Sequence, residues 1–277
     1  MNDNKCREKC EGLTQWVRKR LISGRPSFTL EEAMSATSLR LSGVTLALHR
    51  LKVRKVIVSP MRGFYVCVPD RYQLRGEVPP SFYVDDLMRQ LGRVYYLGLT
   101  SSAAIWGAGH QRVQKDFAVI TLPRMRGGSL AQGMLGLVYR EQMPEAHIVT
   151  RNADGGAVRF ADAVLTAFDI VRHADMVGGM SSAATILSEL IEEVDFASSS
   201  DLGAYVPCVV WQRLGFICED ILGCAEKADA LYHVWRSLGL RTVNTPLSPF
   251  ERKHDGKLNR RWHVRVNIEI EMDEDDL

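Results

Sequence analysis

The sequence predicts an α+β protein, a small N-terminal module of helices and a hairpin followed by a larger mixed α/β body. Three observations lead there. Apolar residues recur first at helical and then at strand spacing within the first 70 or so positions. The segment Asp70–Ser81, DRYQLRGEVPPS, interrupts both periodicities, because Pro79-Pro80 bars a helix and forces extended backbone before each ring. Charge also changes sign across that segment. Residues 1–80 carry 15 Lys and Arg against 7 Asp and Glu, a balance of +8, while the remainder carries 20 against 26, a balance of −6. The domains are therefore set at residues 1–78 and 79–277.

In the first domain, Leu13, Trp16, Val17 and Leu21 fall at helical spacing, and Gly24 with Pro26 stops that helix. Thr29 precedes Leu30-Glu31-Glu32-Ala33 with Glu32 three residues on, which is a capping box opening a short second helix. Ser42 is the expected N-cap of a third helix whose inward stripe is Val44, Ala47, Leu48 and Leu51. Val56–Val58 and Phe64–Val68 then read as two strands joined through Ser59-Pro60-Met61-Arg62-Gly63. Helix, helix, helix, hairpin is the order of a winged helix-turn-helix. In that module the third helix enters the major groove of double-stranded DNA.

With the inward stripe set, the expected DNA-facing residues are Ser42, Gly43, Thr45, Leu46, His49, Arg50 and Lys52. Arg50 offers a bidentate fork to guanine or phosphate, and Ser42 and Thr45 offer hydroxyl donors. Gly43 leaves room for close approach at a helix start whose dipole favours phosphate. Arg54 and Lys55 before the first strand and Arg62 at the hairpin tip extend the basic surface toward the adjacent backbone.

In the second domain helices are expected at Val84–Tyr96, Thr100–Gly109, Asp162–His173, Ala183–Val194, Leu202–Leu222 and Glu226–Leu238. Strands are expected at Phe117–Leu122, Met134–Tyr139, Ala146–Thr150, Ala157–Arg159 and Trp262–Ile270. The last alternates Trp262, Val264, Val266, Ile268 and Ile270 against His263, Arg265, Asn267 and Glu269. The acidic tail Glu271–Leu277 reads as solvated.

Composition is that of a globular protein, 46% hydrophobic and 25% charged. No apolar run approaches the roughly 18 residues of a membrane span, and the polar N-terminus lacks a signal-peptide core. The expected location is the cytoplasm, where Cys6, Cys10, Cys67, Cys208, Cys218 and Cys224 remain reduced thiols. Cys6 and Cys10 stand four apart on a helix but lack the further ligands of a metal site. Neither metal nor cofactor is expected.

The sequence contains no P-loop, no H-E-x-x-H and no G-x-S-x-G. Arg124-Met125-Arg126-Gly127-Gly128-Ser129 has the makings of a phosphate cradle but reads better as a flexible turn. Glu251, His254, Asp255 and His263 match no catalytic spacing. His110, His147, His173 and His233 read as surface or packing histidines. Asp162 and Asp169, two helical turns apart, are too distant for paired acid–base work. The expectation is a binding protein and not an enzyme, the alternative being a nucleic-acid-processing enzyme targeted by its winged helix.

Across nearly its whole length the chain resembles the AbiEi-type antitoxins of bacterial type IV toxin–antitoxin systems. In the first domain the resemblance is carried by Phe28-Thr29-Leu30-Glu31-Glu32-Ala33, Leu48-His49-Arg50-Leu51 and Arg62-Gly63-Phe64-Tyr65-Val66. In the second it is carried by three blocks in order. These are Tyr95–Ala104 with Trp106-Gly107 and His110-Gln111, Gln212–Phe216 with Leu222-Gly223, and Asn259–Asn267. One departure is that such proteins often have a glycine between third helix and first wing strand, where this chain has Arg54-Lys55-Val56. The resemblance implies a repressor of its own operon, two copies of which bind inverted repeats. It also implies a C-terminal antitoxin domain that neutralises a nucleotidyltransferase toxin, with or without a stable complex.

Overall fold

The computed structural model describes the backbone of residues 2–108, 115–124, 130, 134–153, 155–252 and 256–272, and side chains from residue 12 onward. The architecture is α+β, and contacts divide the chain into two compact units. One comprises Met1–Tyr95, Pro123–Leu137 and Thr150–Arg159, the other Tyr96–Leu122, Val138–Val149 and Phe160–Leu277.

The first unit begins with α1 (Asn2–Ile22). Gly24 at φ +69° ends it, with Arg25 N–H returning to the Arg20 carbonyl at 3.0 Å, a left-handed C-terminal turn that favours glycine. Strand β1 (Ser27–Thr29) follows, then α2 (Leu30–Ser35) and α3 (Leu41–Val53). The capping box forms as the spacing predicts. The Thr29 side chain accepts from Glu32 N–H, and the Glu32 carboxylate accepts from Thr29 N–H at 2.8 Å. Helix α3 starts two residues earlier than expected. Arg40 occupies the N-cap with no side-chain cap, so Ser42 lies inside the first turn.

Strands β2 (Ile57–Met61) and β3 (Phe64–Cys67) pair antiparallel, and β1 adds to the other side of β3, giving the order β1-β3-β2. The register shifts between Val58 and Met61, and Pro60 sits in that irregularity on an edge strand, where its missing N–H is tolerated. The turn is tighter than expected, only Arg62 and Gly63, with Gly63 at φ +81°. Leu13, Val17, Phe28, Val44, Leu48, Leu51 and Ile57 form the core. Trp16 meets Phe28 edge-on at 5.1 Å, and Phe28 stacks on Tyr65 at 5.4 Å.

The unit continues through α4 (Asp70–Gln73) and α5 (Val84–Gln90). The helix expected to reach Tyr96 stops here. Gly92 takes φ +62°, and the chain becomes strand β4 (Tyr95–Leu97).

Along the chain the next elements are α6 (Thr100–Ala103), β5 (Asp116–Thr121), β6 (Leu135–Arg140), β7 (Ile148–Ala153) and β8 (Gly156–Ala161). The five-stranded sheet has the order β6-β5-β4-β8-β7. Four helices follow, α7 (Ala163–Arg172), α8 (Met180–Leu190), α9 (Cys208–Phe216) and α10 (Ala225–Ser237). Pro207 sets the start of α9, so the expected Leu202–Leu222 helix is shorter at its front, and it widens into a π turn over Ile217–Ile221. Short strands β9 (Thr245–Pro246), β10 (Lys257–Asn259) and β11 (Val264–Val266) form a separate sheet, β10-β11-β9. The strand expected over Trp262–Ile270 is thus confined to Val264–Val266. Its inward face nevertheless packs as the alternation predicts, since Trp262 and Val264 are buried and Val266, Ile268 and Ile270 lie against the core. Among the described residues, no helix is long and apolar enough to cross a membrane.

Candidate nucleic-acid interface

Helix α3 turns Val44, Ala47, Leu48 and Leu51 into the core. At 100° per residue the ridge opposite that stripe is Ser42, Leu46, His49 and Val53. Gly43 and Arg50 lie along one flank of the ridge, Thr45 and Lys52 along the other. Ser42, Thr45, Leu46, His49, Arg50 and Lys52 are all exposed, and Gly43 is half-buried. The Thr45 hydroxyl donates back to the Leu41 carbonyl at 2.8 Å, so its oxygen is oriented along the helix. Arg50 and Lys52 stand in the last turn, where positive charge complements the helix dipole.

Arg54 caps the helix and is exposed. Lys55 is exposed as well, and its backbone and ammonium are fixed locally. It takes φ +55°, the conformation a glycine adopts most easily, and its ammonium donates to the Leu74 carbonyl at 3.1 Å. Its stem lies over Gly76, where an added Cβ would come within 2.8 Å of the Lys55 Cδ. The helix exit is therefore held here by a lysine braced on the segment after α4. Arg62 is exposed at the hairpin tip, and the neighbouring Gly63 carbonyl accepts from Leu30 N–H at 2.9 Å, tying the tip to the start of α2.

The structure thus gathers seven of the ten expected residues on one helix, carries Arg54 at its cap, and sets Arg62 on the hairpin and Lys55 on a structural brace. Arg40, which the expected start at Ser42 leaves outside the helix, is exposed at the N-cap. No aspartate or glutamate occurs between Glu32 and Asp70. Among the described residues, Arg40, Arg50, Lys52, Arg54 and Arg62 have no side-chain hydrogen bond or ion pair. A surface of exposed, uncompensated cations on a rigid helix is suited to a polyanion. Cys67, behind this surface, is pushed by burial up to about 12, so it stays a thiol and serves as core.

Several charged groups of the second unit are instead drawn inward. The Arg140 guanidinium, 3% exposed, donates to Asp169 at 3.0 Å and to the Tyr96 hydroxyl at 2.6 Å, and Tyr96 in turn donates to Asp169 at 2.6 Å. Burial, with the Asp169 charge, raises the Tyr96 phenol well above its ordinary value and keeps it a donor. His147, expected as a surface or packing residue, is buried between two carboxylates, Nδ1 to Asp162 at 2.6 Å and Nε2 to Asp201 at 2.8 Å. Burial lowers its pKa, but hydrogen bonds and charge from both aspartates outweigh this and raise it. Asp162 also caps α7 by accepting from Leu165 N–H at 2.7 Å.

The sequence blocks of this unit are likewise internal fittings. Gln212 donates to the carbonyls of Val243 and Trp262, and Arg213 to that of Pro246. Gly215 lies under the Trp262 ring, where a Cβ would stand 2.1 Å from it. Trp106 donates its indole N–H to the Ala161 carbonyl at 2.9 Å. Of the residues weighed for catalysis, His263 lies in a turn at φ +55° and pairs with Asn244, not on a strand face. Cys6, Cys10, His110, Gln111, Met125–Ser129, His254, Asp255 and the end of the acidic tail fall outside the described side chains.

No family model matches the chain, and a search of curated proteins finds no match. Among solved structures the chain is similar to the Rv2827c protein from Mycobacterium tuberculosis, at 15% identity and a TM-score of 0.63. The likeness covers 90% of each chain, and at that identity it shows a shared fold over nearly the whole length.

Proposed function

We propose that the chain is a transcriptional repressor that binds double-stranded DNA through a winged helix-turn-helix in its first unit. The observation that carries this reading is the outward face of α3, exposed and cationic, in a stretch without a single acidic residue. Helix α3 enters the major groove, where Arg50 meets a guanine edge or phosphate and Ser42 and Thr45 reach polar atoms. Arg40, Lys52 and Arg54 meet phosphates, and Arg62 at the turn between β2 and β3 meets the neighbouring backbone.

The purpose of this binding comes from the resemblance to AbiEi-type antitoxins. On that reading two copies occupy inverted repeats in the promoter of their own operon, in the cytoplasm. The second unit neutralises a nucleotidyltransferase toxin encoded beside it. The internally paired charges of that unit suit a binding scaffold.

A gel shift of the full chain on the duplex upstream of its own gene tests the DNA reading. The expected result is a specific complex whose affinity falls steeply with salt, and equal competition by random-sequence duplex would refute it. Co-expression with the neighbouring nucleotidyltransferase tests the antitoxin reading, which requires growth to be rescued.

A further inference from the structure

On the outward ridge of α3 the central side chain is not a cation but Leu46, 49% exposed, between Ser42 one turn before and His49 after it. Cations and hydroxyls occupy the flanks, Arg50 on one side and Thr45 with Lys52 on the other. A single exposed leucine is ordinary on a protein surface. One at the middle of a cation-flanked ridge is more informative, because whatever covers Leu46 also meets those charges. A duplex major groove has one apolar group to offer such a side chain, the C5-methyl of thymine.

Resting on the DNA-binding reading above, we propose that Leu46 is a specificity residue that packs on a thymine methyl in each half-site. It stands in the second turn of α3, within the N-terminal part of a recognition helix that reaches base edges. Val53, 70% exposed on the same ridge, is the last residue of α3 and lies too far along the helix to share that contact.

The upstream duplex, amplified with deoxyuridine triphosphate in place of thymidine triphosphate, keeps every base pair and loses only the methyl groups. The full chain titrated against both duplexes loses about fourfold in affinity for each methyl that Leu46 covers. Leu46→Ala binds the two duplexes alike, Leu46→Met keeps a preference for thymine, and Val53→Ala shows the full wild-type loss. Equal affinity of the unaltered chain for both duplexes would overturn the proposal. So would a Leu46→Ala protein that retains the full methyl dependence, the result expected if the ridge docks a protein instead, or a Val53→Ala protein that loses it. Failure to bind the thymine duplex at all would overturn the DNA reading, and this inference with it.

Discussion

The exposed face of α3 and the interior of the second unit spend their charges differently. On α3 and its flanks, Arg40, Arg50, Lys52 and Arg54 face solvent, and among the described residues no side chain answers them. In the second unit, Arg140, Asp169, Tyr96, His147, Asp162 and Asp201 are drawn into closed sets of hydrogen bonds. An internally satisfied charge holds a fold together, and removing one partner leaves the other stranded. An unanswered surface charge contributes little to the fold and stays available to a ligand. Residue type alone does not separate an arginine that binds from one that builds; its surroundings do.

The contrast breaks most visibly at Asp169. Replacing it with alanine leaves Arg140 buried and uncompensated, and an expected loss of about 3–5 kcal/mol follows in denaturant unfolding. Arg50→Ala inverts the pattern. Unfolding stays within about 0.5 kcal/mol of the parent, as for a surface position, while DNA affinity falls by about 1–3 kcal/mol if Arg50 reads a base edge.

Gly43 sharpens the comparison further. A Cβ there would meet only the Leu39 side chain, at an ordinary 3.5 Å. Gly43→Ala is therefore expected to stabilise the fold by up to about 1 kcal/mol, and to weaken DNA binding if the duplex closes on that point. Both effects are read on one purified protein, by thermal unfolding and by gel shift.

The smallest effect belongs to His147. Its pKa is raised in the folded state, so its contribution is complete below the ordinary histidine value of about 6.5 and is lost as pH rises through the folded value. Melting temperature is expected to decline across that interval, and His147→Gln to flatten the decline.

Local features were legible in the sequence, and contacts between distant residues were not. The Thr29–Glu32 box, the inward stripe of α3 and the Asp162 end of α7 are written within four or five residues of themselves. Strands β1 and β4, three residues each, are too short to show a period, and Tyr95-Tyr96 looked like the end of a helix. The Trp262–Ile270 alternation revealed which face is inward but not where ladder partners stop; β9 offers only Thr245 and Pro246. Lys55 in a left-handed conformation ran against the usual preference and became intelligible only with Leu74 and Gly76 in place. The pairing of Arg140 with Asp169 and of His147 with Asp201 spans 29 and 54 residues, and no local pattern announces it.

The salt dependence of DNA binding tests most directly whether the α3 charges are held for phosphate and bases. The parent chain and a variant with Arg50, Lys52 and Arg54 all replaced by alanine would be titrated on the upstream duplex across a range of salt. If the account holds, the variant unfolds like the parent, and its slope of log affinity against log salt is shallower by about one per lost phosphate contact. An unchanged slope, with the variant fully folded, would contradict it.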